Sequence, residues 1–559
     1  MNKEKKAPAS VIKNPKTSYE KFENWAAKND AKLFYSLLVL CLLLSFLSFN
    51  ARISEAHDDA LYLEGGSRYV NEFPNYFYTQ NAPLYPMLLG VLIKLFGLKL
   101  ILFKLFSILF NALGFVFFYK ALKGRIPAIV FIPVVIFHAS NHLIMYYASM
   151  TFTEAFYFFL QSLFFFYAAK IVDLVSQKDF ALVPNLKLWL MFGLSMFLIS
   201  TVKSSAIVVI PAVILFFTLS KNWKAMGFSL AAYGIFKILF EVLVRVIWGA
   251  QNQFKGQSKI LLQKDPYDKS LGDEDFSGFI TRFIENCNLS LSKRFYQILG
   301  WRDETSFEVY GVLTVLTMAL IIFGYYKLVK SNNKVMILLS LFTGAQLVLS
   351  FLILQVKWDQ ARITLVGMPI VLILMFYAIY SLTAKPGIGQ SIYIVIIALV
   401  IGSVLMSSFK RGFKNLPIVK KNLKGDKYYG YTPDWQNFLK CSEWCADSLP
   451  ANTLVASRKA PMSFVYGKGK KFFPIYSVIK RDSTTNQSNP DSALVFLKNN
   501  GVTHVMLANL RANPNQPGAG IINTVHHIIV PIMQKYPEKI RLVHTEGMYE
   551  PTELFEIVY

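Results

Sequence analysis

Apolar segments recur through roughly the first 410 of the 559 residues, at about 33–49, 99–119, 126–140, 151–169, 187–202, 204–219, 225–248, 308–329, 335–355, 362–382 and 390–408. A bilayer core takes roughly 20 apolar residues per helical crossing, and lipid offers no partner to an unpaired backbone amide or carbonyl. Such a chain is constrained to a bundle of helices. The expected fold class is a polytopic α-helical membrane protein of about 11 transmembrane helices. Some segments are short for a crossing, and only Val202-Lys203-Ser204 divides 187–202 from 204–219. The composition agrees: 54% of residues are apolar and 16% charged, against about 25% charged in soluble proteins. Aromatics reach 15%, and Tyr and Trp suit the membrane–water interface.

The charge pattern orients the bundle. Residues 1–32 carry eight Lys and no apolar run, and read as a cytoplasmic N-terminal tail. No apolar core with a small-residue cleavage site precedes the first span, so no removable signal peptide is expected. Connections near 120–125, 170–187, 221–224, 327–334 and 385 are basic or nearly so, as cytoplasmic loops are. The alternate connections include an acidic stretch at 50–82, and the outer loops are expected at 50–98 and 249–306. Residues 33–409 form the expected transmembrane domain, and 410–559 an extracytoplasmic α/β domain. The net charge of +24 is explained by membrane lipids, and no nucleic-acid partner is expected because aromatic and basic residues are not interleaved.

Beyond residue 410 short runs replace long ones. Thr453–Ser457, Phe472–Tyr476, Val502–Leu507, Ile540–His544 and Leu554–Tyr559 read as strands, and Asp491–Lys498 and 519–535 as helices. Four cysteines make no disulfide framework. Cys441 and Cys445 share one helix face; free thiols are expected, with a bridge between them as the alternative.

The residues able to carry chemistry sit at the ends of apolar segments. Asp58 and Asp59 are adjacent carboxylates in the first outer loop. Charges at a membrane are costly unless they meet water or a partner, and an outer carboxylate can act as a general base for a hydroxyl acceptor. A solvated loop pair is the plain alternative. Glu154 opens an apolar helix on the same side, where a carboxylate also suits the helix dipole; its functional reading is a second acid or an acceptor-binding group. Lys203 and Arg362 stand where a lipid phosphate would lie, and Arg offers a forked contact to phosphate. Snorkelling cations at helix ends are the plain alternative. His57, Tyr62 and Tyr85 are acceptor-loop candidates, and Pro83–Gly97 reads as an interfacial helix or the start of the next crossing. His57, His138 and His142 match no common zinc spacing. No metal ligands are assigned and no cofactor is expected to be required; a divalent metal is the less favoured option. No phosphate-binding Gly-rich loop, dinucleotide turn or Gly-x-Ser-x-Gly elbow is present.

In this order the landmarks resemble the GT-C membrane glycosyltransferases, in the branch of the dolichyl-phosphate-mannose protein mannosyltransferases and the lipid A aminoarabinose transferases. Asp58-Asp59 is similar to that family's acidic pair, with Asp where Glu is usual. Ala82-Pro83-Leu84-Tyr85-Pro86, Thr153-Glu154-Ala155, Gly193 to Lys203 with Pro211, and Arg362 with Pro369 resemble its later elements. The likeness spans residues 33 to about 382.

The resemblance implies an inverting glycosyltransferase, of hexosyl or pentosyl type, acting at the extracytoplasmic face of a bacterial inner or plasma membrane in glycosylation of the cell envelope. The donor would be a polyprenyl-phosphate-linked sugar and the acceptor a hydroxyl of a glycan, lipid or protein. It implies Asp58 as the group that takes the acceptor proton, and Arg362 with Lys203 as the donor-phosphate site. The alternative is a transporter or flippase of lipid-linked glycans, for which charges near the membrane midplane and an internal repeat would be expected.

Overall fold

A computed structural model describes residues 17–177, 180–249, 260–266, 271–303, 306, 308–385, 387–479, 487–514 and 520–559. The start of the N-terminal tail, 250–259 and 267–270 of the expected outer loop, and the beginning of the expected helix at 519 lie outside the described residues.

The chain begins with α1 (Ser18–Lys28), whose first turn is closed by a Thr17–Glu20 capping box, and α2 (Asp30–Leu47). Two short helices, α3 (Asp58–Asn71) and α4 (Leu84–Phe96), follow. They cross closely, because a Cβ on Gly66 would meet Leu89 at 2.9 Å and one on Gly90 would meet the Gly66 carbonyl at 3.0 Å. Next come α5 (Leu100–Leu122), α6 (Ala128–Ser140), α7 (His142–Ala148) and α8 (Thr153–Val175). The chain bends 45° between α6 and α7, where the Asn141 side chain accepts from the amides of Leu143 and Ile144. After α9 (Leu186–Val202) and α10 (Val209–Leu219), α11 (Trp223–Trp248) lies so close to α9 that a Cβ on Gly193 would stand 2.4 Å from the Ala232 backbone.

Part of the expected loop 249–306 is helical. α12 (Phe276–Asn288) runs through a π turn, Leu289–Arg294, into α13 (Phe295–Ile298). Asp275 caps its first turn, and its polar face docks it: Arg282 and Asn286 donate to the Ile353, Phe351 and Leu354 carbonyls at the end of a membrane helix. The bundle is completed by α14 (Gly311–Lys330), α15 (Lys334–Ile353), α16 (Ala361–Leu365), α17 (Met368–Leu382) and α18 (Ile388–Leu423). The proposed boundary at residue 409 falls inside α18.

Every apolar segment of the sequence forms helix. Among the described residues seven helices are long and apolar enough to cross a membrane, or eight if the bent α6–α7 pair is one span; α4, Ser204–Leu219 and α17 are apolar but shorter. α11 is longer but carries Lys224, Lys237, Glu241 and Arg245. Ile238, Leu239, Val242 and Val246 of α11 and Val395, Leu399 and Met406 of α18 are exposed, an apolar surface suited to lipid.

The connections segregate. Asp30 bonds Lys123 and Tyr119, Arg125 pairs with Asp173, Asn333 donates to the Arg125 carbonyl, and Tyr19 meets Thr383. All belong to the tail or to connections expected on the basic side. At the other end, Asp58 meets Arg362, Glu154 meets Lys203, and Asn141 donates to the Ile298 carbonyl.

The last part of the chain comprises α19 (Pro433–Ser448), β1 (Val455–Ser457), α20 (Ala460–Tyr466), β2 (Phe472–Pro474), α21 (Pro490–Asn499), β3 (His504–Ala508), α22 (His526–Lys535), β4 (Ile540–Glu546) and β5 (Thr552–Ile557). The sheet order is β2-β1-β3-β5-β4, parallel from β2 to β3 and antiparallel beyond. α19 packs on β3–β5 through Trp435 and Phe438. α21 and α22 close a second apolar cluster around Leu497, Ile528 and Ile529. Cys441 and Cys445 are buried free thiols.

This α/β unit is tied to the first loop. The Asn422 side chain accepts from the Ala51 amide at 2.8 Å, the Tyr431 hydroxyl donates to the Ile53 carbonyl, and α20 packs on α3.

Candidate active site

α3 begins at the acidic pair, where the free amides of a helix N-terminus favour negative charge. The preceding residue, His57, has φ +65°, ψ 0°. Consecutive positions of the helix that follows point about 100° apart, so the two carboxylates diverge. Asp58 is 36% exposed as a side chain and accepts from Arg362 Nη2 at 2.7 Å. Asp59 is fully buried and accepts from the Ser54 amide at 3.0 Å and the Ala60 amide at 3.1 Å. Burial raises the Asp59 carboxyl well above the usual carboxylate range, against the pull of the Ser54 amide and the Lys104 charge. In this conformation Asp59 turns under its own loop, whereas Asp58 faces outward.

Arg362 comes from α16, 304 positions along the chain. Its Nε donates to Gln360 Oε1, its guanidinium lies over the Phe152 ring with 5.6 Å to the centroid, and it faces Glu154 as well as Asp58. Burial opposes its charge, but the Glu154 and Asp58 carboxylates outweigh burial and raise its pKa. Asp359 supports this segment from behind, bonded by both Lys293 and Arg294 of the π turn. Glu154, 1% exposed, completes the row with Lys203 Nζ at 3.3 Å. Lys203 lies over the Tyr157 ring, and the Tyr157 hydroxyl donates to Gln346 at 2.7 Å. The structure thus brings Asp58, Arg362, Glu154 and Lys203 into one chain of alternating charge at one end of the bundle.

The loop candidates are placed differently. Tyr62 is buried against this row, in electrostatic reach of Arg362, Asp58 and Glu154, and burial raises its phenol. Tyr85 is buried in α4 and meets Tyr62 edge-on at 5.6 Å. His57 is turned toward the α/β unit, stacked on Tyr476 at 5.8 Å. His138 is packed in the bundle against Phe118 and Phe158. Among the described residues no group of three or more His, Cys, Asp or Glu is placed to hold a metal ion.

Two site lysines escaped the sequence reading. Lys104, wholly buried in α5, bonds the Arg52 carbonyl and Asn50 Oδ1 and faces Asp59. Its signal was a lone cation inside an apolar run. Lys459 reaches the turn before Asp58 from the α/β unit, and nothing local in the sequence marks it.

The helical bundle and the α/β unit together have the GT-C fold of membrane glycosyltransferases, in a multi-pass membrane protein. ArnT from Cupriavidus metallidurans bound to undecaprenyl phosphate matches with TM-score 0.53 at 12% identity, over 94% of this chain and 98% of that one. The archaeal oligosaccharyltransferase AglB from Archaeoglobus fulgidus, in complex with an inhibitory peptide and a dolichol-phosphate, matches with TM-score 0.51 at 12% identity, over 86% of this chain and 70% of that one. The Archaeoglobus fulgidus oligosaccharyltransferase complex with zinc and sulfate gives 0.52 at 11% identity, over 84% and 68%. No protein-family model and no curated protein matches the sequence.

Proposed function

We propose that the protein is an inverting glycosyltransferase that moves a sugar from a polyprenyl monophosphate to a hydroxyl acceptor at the extracytoplasmic face. The N-terminus is cytoplasmic in this reading, and the α/β unit lies outside. The observation that carries it is the 2.7 Å pair between Asp58 and Arg362, an outward carboxylate and a forked cation set at the membrane end of a GT-C fold. Structures of two proteins with this fold hold undecaprenyl phosphate and a dolichol-phosphate, which supports a lipid-phosphate donor here.

In this mechanism the donor phosphate draws the Arg362 guanidinium toward it, with Lys203 behind, and Asp58 Oδ2 is released. Asp58 takes the proton of the acceptor hydroxyl as that oxygen bonds to the anomeric carbon. The bond from that carbon to the phosphate oxygen breaks on the opposite face, and lipid phosphate leaves with the electron pair. Preorganised cations at a developing charge are usually the largest single contribution to such a step. Glu154 holds Lys203 in place and lies within reach as an acceptor-binding group. Asp59, bonded to the loop amides, fixes the turn. Asp58, Asp59 and Glu154 each already face a cation, and no step is routed through a metal. Acceptor choice is assigned to the loop 249–306 and the α/β unit.

Purified protein in liposomes, given a polyprenyl-phosphate sugar and assayed by mass spectrometry, tests the reading. Asp58→Asn is expected to lower transfer about 10²–10⁴-fold while the protein inserts and folds normally. Full activity in that variant overturns the assignment. Movement of label across the bilayer without bond formation supports a flippase instead.

A further inference from the structure

Lys459 immediately precedes α20 and is 7% exposed. A buried ammonium is costly unless its protons are used. Here Nζ donates to the Glu55 carbonyl at 2.7 Å and to His57 Nδ1 at 3.1 Å, and lies over the Trp435 ring at 5.7 Å. Lysine has only donors, so the imidazole is neutral with its proton on Nε2. One acceptor lies two residues before the left-handed residue that starts α3, and the other on that residue itself. A non-glycine residue in that region is strained, so the turn needs support from outside. It receives it on several sides: Asp59 holds the Ser54 amide, Tyr431 the Ile53 carbonyl, Tyr476 the His57 ring, and Lys459 both Glu55 and His57. Adhesion between the two parts of the chain would require only apolar contact. A buried cation bonded to the two residues before and at this turn does something more specific.

We infer that Lys459 is a positioning residue for Asp58: the α/β unit uses it to hold the turn at Glu55–His57, and so to aim the Asp58 carboxylate at the reacting hydroxyl. The inference rests on the transferase reading. It makes the outer unit part of the catalytic geometry. A displacement of about 1 Å at a reacting group can cost roughly 100-fold in rate.

The test is steady-state kinetics on the full chain in liposomes, with thermal unfolding measured in parallel. Lys459→Met keeps the length and removes the donors. It is expected to lower kcat about 10–100-fold, with the KM for the polyprenyl-phosphate sugar and the unfolding midpoint close to wild type. Lys459→Arg restores most of kcat. His57→Ala lowers kcat by the same route, so the double variant with Lys459→Met loses no more than the worse single one. Wild-type kcat in Lys459→Met overturns the inference, as do additive losses in the double variant. So does a loss that tracks the unfolding midpoint and is not recovered by Lys459→Arg. A wild-type protein that transfers no sugar defeats the transferase reading itself. Transfer by the wild type matched by Lys459→Met defeats the Lys459 inference alone.

Discussion

The two ends of the helical bundle treat charge in opposite ways. At the end holding Asp30, Lys123, Arg125 and Asp173, ion pairs are open: Lys123 is 51% and Asp173 49% exposed. At the other end Glu154 is 1% exposed, and Asp59 and Lys104 are fully buried. Exposed pairs contribute about 0–1 kcal/mol and need no explanation beyond solubility. Buried ones give little net stability, because desolvation consumes the Coulombic gain. In the proposed transferase, the several gathered at one end of the bundle serve the transfer rather than folding.

That contrast can be broken experimentally. Arg362→Gln removes the forked cation and is expected to lower kcat about 10²–10³-fold with unfolding little changed; neutralising Arg125 at the other end should leave kcat intact. A parallel loss in both variants, read by the same transfer assay, erases the distinction. Next in size is the stability comparison. Glu154→Gln breaks a buried pair and should cost about 3 kcal/mol, whereas Asp173→Asn should cost less than about 1 kcal/mol. Denaturant unfolding of the two variants in detergent measures the difference, and equal costs refute the account of burial.

A third effect is on pH. Burial first, then the Lys459 and Arg458 charges, push the His57 imidazole down to about 3, from about 6.5 in the unfolded chain. Between those values the unfolded state binds the proton and the folded state does not. Stability is therefore complete above about pH 6.5 and falls as pH drops toward 3, by at most about 1.4 kcal/mol per pH unit. His57→Gln should flatten unfolding midpoints measured from pH 7 to pH 4. An unchanged slope would show that the turn is not buried by the α/β unit.

Much of this was legible in the chain, for physical reasons. Every apolar run became helix, because lipid leaves the backbone no other partner. Glu154, Lys203 and Arg362 could be singled out because each interrupts or borders an apolar run, where a charge is costly, and Asp58 because it is half of an acidic pair in the first outer loop. That at most one of Asp58 and Asp59 would face the site was legible, because successive side chains point in different directions. The left-handed conformation of His57, which no residue type there demands and which distant contacts stabilise, was not. Lys104 passed as part of a span, since one cation in an apolar run scarcely alters its hydropathy. Lys459 depends on how α20 docks on α3, a tertiary contact without local pattern. The helix at 276–298 was read as part of a loop because it has no apolar run long enough to cross a bilayer, although Phe276, Phe279, Ile280, Phe283, Ile284 and Cys287 recur at helical spacing.

The most direct test of the central claim is a cryo-electron-microscopy structure of the protein with polyprenyl phosphate bound. The expected density places the phosphate against the Arg362 guanidinium, with Lys203 on its far side and the Asp58 carboxylate parted from Arg362 and facing the same space. A phosphate seated elsewhere, with the 2.7 Å Asp58–Arg362 pair still closed, would contradict it.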